Sequence, residues 1–106
     1  MVEFIDENIS DTITVEILAV LIHTTPGAVY KLFKLWLNTT PIQYINTVRI
    51  SKAKELLIYT DLSITEVSEQ VGFNTIHYFS RYFREKEKIS PSDFKEKYIR
   101  KNPLWS

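Results

Sequence analysis

Cysteine is absent from all 106 residues, which removes disulfide frameworks and thiolate metal sites and suits a reducing compartment. Glycine is nearly absent too, with two copies against four prolines, and no alternating β-branched run lies between turn signals. A sheet built on tight hairpins is therefore excluded, and the coarse reading is all-helical. Long apolar runs are missing: the longest, Ile17 to Ile22, is far too short to span a bilayer. The opening MVEFIDENIS is acidic and lacks the basic start and apolar stretch of a secretory signal. A cytoplasmic protein without a membrane partner is expected. The only two histidines, His23 and His77, have no His/acid spacing of a metal-binding kind, so no metal is assigned. There is no phosphate-cradling glycine loop, no nucleophile beside a base and no carboxylate pair at a recognisable spacing. The expectation is a non-enzyme without a cofactor.

The net charge is zero, but it is unevenly spread. Residues 1–30 hold five acids (Glu3, Asp6, Glu7, Asp11, Glu16) and no Lys or Arg, which leaves 13 basic against 8 acidic residues downstream. Phosphate neutralisation needs such a local excess of cations, although a charge block alone is more often an ordinary solvated face.

Helix punctuation is easier to read. Thr14 is a good N-cap for a helix bearing Ile17, Leu18, Leu21 and Ile22, which should end near His23. Thr25-Pro26 starts a second helix with Val29, Leu32, Phe33 and Trp36 on its apolar face. Thr40-Pro41 opens a longer one to about Tyr59, with Ile42, Ile45, Val48, Ala53, Leu56 and Leu57 roughly on one face. Ser63-Ile64-Thr65-Glu66 is a capping-box pattern, and Gly72-Phe73-Asn74 is the turn that follows. Further helices run from about Thr75 to Lys86 and from Ser90-Pro91 through Phe94 and Tyr98. A fragment near Val2 to Ile9 reads as the end of another helix whose beginning is missing. The aromatic set Phe33, Phe73, Tyr78, Phe79, Tyr82, Phe83 and Phe94 sits at helical spacing and is assigned mainly to packing, with a phosphate contact left open for Tyr78 or Tyr82. The run Arg84 to Lys88 alternates in sign and reads as a solvated helix end.

The two halves repeat. Thr14 and Ala19 fall on Ser63 and Ser68 at a shift of 49, whereas Val29, Lys31, Phe33 and Lys34 fall on Phe79, Arg81, Phe83 and Arg84 at 50. Thr40-Pro41 then falls on Ser90-Pro91, so the second turn is one residue longer. Each copy is a capped helix, a short turn and a second helix with a basic residue near its middle: a helix-turn-helix, which presents its second helix to the major groove. Residues 1–39 are the first unit, 40–60 the linking helix and 61–106 the second unit of one DNA-binding domain. An all-α fold of six to seven helices is expected, two helix-turn-helix subdomains joined by a long central helix.

The segment Val67 to Phe94, with Gly72-Phe73, Phe79-Ser80-Arg81, Phe83-Arg84 and Ser90-Pro91-Ser92-Asp93-Phe94, closely resembles the signature of AraC/XylS-type bacterial transcription regulators. Leu18-Ala19, Phe33-Lys34 and Pro41 to Ile45 resemble the family's first unit more loosely, and Arg49, Ala53, Leu56 and Leu57 its linking helix. The resemblance implies sequence-specific binding of double-stranded DNA, with bases read by Gly27, Tyr30 and Lys31 and by Ile76, His77 and Arg81. Side-chain chemistry points independently to Lys31 and Arg81, since Arg pairs bidentately with guanine O6 and N7. Lys34 and Arg84, a turn further on, suit phosphate, and Thr25, Arg49 and Asn74 complete the phosphate candidates. Some positions depart from the pattern. His23-Thr24-Thr25 replaces a Gly-containing turn, Ser68 stands for Ala, and Asn38 and Lys88 stand for Gly. Gly27-Ala28 gives the first groove little side chain, so the second unit is expected to read more. Leu35-Trp36-Leu37 replaces a charged stretch, and exposure there would signal contact with another domain or a second protomer.

The linking helix, about 18 residues and near 27 Å at ~1.5 Å per residue, predicts recognition helices in successive major-groove segments about 10 base pairs apart. The resemblance also implies a missing N-terminal effector, dimerisation or receiver domain, and RNA polymerase as a partner. The competing class is a helical protein-interaction module, which would bind without the steep salt dependence of phosphate contacts.

Overall fold

A computed structural model describes residues 1–101; the end of the expected second unit, residues 102–106, lies outside them. The described residues form α1 (Val2–Glu7), α2 (Val15–Leu21), α3 (Pro26–Leu37), α4 (Pro41–Tyr59), α5 (Ile64–Gln70), α6 (Ile76–Glu87) and α7 (Pro91–Lys101). Every helix expected from a cap or a proline is present, and α1 occupies the fragment near Val2. No strand occurs among the described residues.

The caps form as the residue types require. Thr14 and Thr25 accept from the backbone N–H of Ile17 (3.1 Å) and Ala28 (3.3 Å), and Thr75 accepts from Tyr78 N–H at 3.0 Å. Ser63 and Glu66 close a reciprocal box, each side chain accepting from the other's backbone N–H at 3.1 Å. The chain also makes a second box not read from its sequence. Thr40 Oγ1 accepts from Gln43 N–H at 3.2 Å, while Gln43 Oε1 accepts from Thr40 N–H at 3.4 Å.

The chain divides into two compact units inside α4, between Val48 and Arg49. In the first, α2 packs on α3, and Ile5, Ile13, Leu18, Ala19, Val29, Phe33 and Ile45 make the core. In the second, α6 packs against both α5 and α7. Its core holds Ile50, Ala53, Leu57, Val67, Val71, Phe73, Phe79, Phe83 and Phe94.

The same backbone device ends α2 and α5. Thr24 N–H donates to Ala19 C=O (2.8 Å) and Phe73 N–H to Ser68 C=O (3.1 Å), with His23 and Gly72 at φ 56° and 91°. The pairs stand 49 residues apart, whereas the next caps, Thr25 and Thr75, stand 50 apart. The extra residue is therefore Asn74, inserted after the shared turn.

The apolar face expected for α4 needs correction. Its buried positions are Pro41, Ile45, Asn46, Arg49, Ile50, Ala53 and Leu57, while Ile42 is exposed and Val48 and Leu56 are only partly buried. The stripe follows i+4 spacing and admits two polar residues. Apolar side chains do not segregate along α4, so composition could not reveal the face.

Candidate nucleic-acid interface

The second helix of each unit exposes one row of residues. Val29 and Phe33 anchor α3 in the first core, which turns Gly27, Tyr30, Lys31 and Lys34 outward. A Cβ added at Gly27 would meet nothing within 4 Å, so the row starts in open space. Phe79 and Phe83 anchor α6 in the second core, and His77, Arg81 and Arg84 face solvent at the same spacing. Thr25 and Asn74 are exposed at the entries to these helices. The Thr25 oxygen already caps α3, leaving its hydroxyl proton available to an acceptor.

Two candidates are placed differently. Ile76 is partly buried and packs against the second core, so only part of its side chain faces outward. Arg49 is 8% exposed, with Cζ 5.9 Å from the centroid of the Phe73 ring. Burial holds its guanidinium below the usual arginine range, and its position braces the turn that carries Phe73.

The cations differ in how they are neutralised. Lys52 pairs with Glu55 at 3.4 Å and Lys54 with Glu87 at 2.8 Å. Glu87 is thereby tied to α4, which departs from the fully solvated helix end expected for residues 84–88. Lys31, Lys34, Arg81 and Arg84 belong to neither pair. They are four exposed cations on two helix faces, none of them within ion-pair distance of a carboxylate among the described residues.

Tyr78 also departs from its assignment to packing. Phe33, Phe73, Phe79, Phe83 and Phe94 are buried and Tyr82 partly so, but Tyr78 is 39% exposed. Leu35 and Trp36 are 74% and 75% exposed, which meets the condition set for a contact outside this chain. No helix among the described residues is long and apolar enough to cross a membrane.

A family model described as a helix-turn-helix domain matches residues 18–97. The chain is 37% identical over 94 residues to the lactose operon transcription activator of Staphylococcus xylosus, covering 89% of this chain and 34% of that protein. It is 33% identical over 94 residues to the bifunctional transcriptional activator/DNA repair enzyme AdaA of Bacillus subtilis, covering 89% of this chain and 44% of that protein. The chain thus spans less than half the length of either relative. Among solved structures, the DNA-binding domain of AdpA in complex with a target DNA superposes with a TM-score of 0.92 at 25% identity, covering 96% of this chain and 92% of that one. The C-terminal domain of the two-component response regulator yesN from Fusobacterium nucleatum gives 0.83 at 30% identity, covering 88% and 91%. The chain belongs to the AraC-type helix-turn-helix family of DNA-binding transcription regulators. Its two units are the family's paired helix-turn-helix modules.

Proposed function

We propose that this chain binds duplex DNA sequence-specifically to regulate transcription in the cytoplasm, with the N-terminal halves of α3 and α6 each entering a major-groove segment. The observation that carries the reading is the pair of exposed rows, each with two cations free of ion pairs among the described residues: Lys31 with Lys34, and Arg81 with Arg84. In each row the first cation lies within reach of base edges, and the second, about a turn later, meets phosphate. His77, Gly27 and Tyr30 complete the reading surface, Ile76 adds its outward edge, and Thr25 and Asn74 donate to phosphate at the helix entries. Arg49 enters as a brace beneath Phe73. The second unit carries most of the base discrimination, because α3 begins with Gly27 and Ala28 where α6 begins with Ile76 and His77.

Selection from a random duplex library, followed by salt titration on the selected site, tests this. Arg81→Ala should relax base choice at one position, with a loss of about 1–3 kcal/mol of discrimination there. Lys34→Ala should weaken all sequences alike and lower the salt slope by about 0.9. Binding that ignores salt would favour the protein-interaction reading. In the whole regulator we assign an effector, dimerisation or receiver domain as the contact of Leu35 and Trp36, and RNA polymerase as the second partner. The length of the relatives beyond the matched region supports the extra domain.

A further inference from the structure

Arg81 does not stand alone on α6. Its Cζ lies 5.9 Å from the centroid of the Tyr78 ring, one helical turn earlier. Tyr78 is held in turn. It contacts buried Phe73 at 5.5 Å between centroids and stacks on Tyr82 at 6.2 Å, with the two rings 16° from parallel. Tyr78, Arg81, Tyr82 and Glu85 together line a shallow groove of about 360 Å³. Glu85 is the anion one turn beyond Arg81 on this face, and the Tyr78 ring offers the guanidinium another resting place.

Reading guanine O6 and N7 needs both the position and the plane of the guanidinium fixed, whereas phosphate accepts a cation over a wide range of geometries. An aromatic face under a guanidinium restrains it while its N–H donors at the edge stay free for hydrogen bonds. Ordering the side chain before DNA arrives reduces what binding must spend on ordering it. We propose that Tyr78 is a specificity-determining positioning residue, which acts through Arg81 by holding its guanidinium in a base-reading orientation. The proposal rests on the assignment of Arg81 to a base edge.

The experiment uses the full chain and compares the selected site with sites changed at each base. Loss of an exposed cation–π contact should reduce discrimination about 3-fold in Tyr78→Leu, at the position relaxed by Arg81→Ala and nowhere else. Tyr78→Phe keeps the ring face and should retain full discrimination. In the Arg81→Ala background, Tyr78→Leu should have no further effect. Tyr78→Met, a flexible apolar replacement without a ring, repeats the test should the leucine variant unfold. NMR order of the Arg81 Nε–Hε group in the free protein should fall in the leucine and methionine variants and hold in the phenylalanine one. A uniform loss across all sequences in Tyr78→Phe would show that the hydroxyl, not the ring face, is what acts, and would overturn the proposal. So would an unchanged loss from Tyr78→Leu in the Arg81→Ala background. If Arg81→Ala alters no base preference, the base assignment falls and this inference with it. If Arg81→Ala is specific and Tyr78→Leu is silent, only this inference falls.

Discussion

His23, Asn38 and Lys88 hold φ of 56°, 51° and 64°, a region that side chains with a Cβ enter at a cost of about 1–2 kcal/mol. Asn reduces that cost through local hydrogen bonding, but Lys and His have less to offer. Part of the gain from glycine is offset by its greater freedom in the unfolded chain. His23→Gly and Lys88→Gly should each therefore stabilise by roughly 0.5–1 kcal/mol, read as higher urea midpoints at unchanged slope. Gly72→Ala, at φ 91°, should lose at least about 1 kcal/mol in the same assay. The sequence revealed these positions as departures from a Gly-bearing pattern, and their backbone angles explain why glycine suits them. Other residue placements were not legible. Arg49 looks exposed by type but is buried beside Phe73, and Ile76, placed in the outward row by the resemblance, is partly covered by the second core; residue type cannot report a neighbour far along the chain. The Tyr78–Arg81 pair was within reach of sequence reasoning, because residues three apart on a helix are neighbours. Reading Tyr78 as core packing or as a phosphate contact left its pairing with Arg81 unread.

Among the helices, those with a polar cap and a proline or acid in the first turn were legible because their signals are local hydrogen bonds. α5 shows how much depends on such a signal. At seven residues it is too short to hold alone, and Ser63 and Glu66 satisfy two N–H groups at its start. Ser63→Ala should destabilise the second unit by about 1 kcal/mol. The Ser63 backbone N–H, and then its hydroxyl, hold the Glu66 carboxyl below the usual carboxylate range. A depressed folded pKa stabilises fully above the unfolded value and is lost as pH falls through the folded one. Denaturation midpoints should therefore decline on the acid side of the carboxylate range, and Glu66→Gln, which keeps an acceptor oxygen, should make that decline shallower. An unchanged pH profile in Glu66→Gln would place the acid sensitivity elsewhere. α4 marks the limit of local reading. Its early residues serve one core and its later residues another, so its buried face follows two packing environments rather than one apolar stripe.

Across the whole molecule, neutrality conceals a division. Up to Val48 the chain has two cations against five acids, and from Arg49 onward eleven against eight, over all 106 residues. Both cations of the first unit, Lys31 and Lys34, lie on α3, so its positive charge is confined to the row assigned to DNA. Long-range attraction to a polyanion then falls mainly to the second unit. Stopped-flow association should slow more for Arg84→Ala than for Lys34→Ala at low salt, and the difference should shrink as salt rises. Equal slowing would mean that both units meet DNA together. Gly27 has a separate consequence. A reading helix whose first outward position holds no side chain, with open space around it, is a blank character in a recognition code. With α3 in the groove as proposed, Asn, Gln or Arg written there would reach a base without disturbing the core, and one substitution would then lengthen this chain's target by a letter.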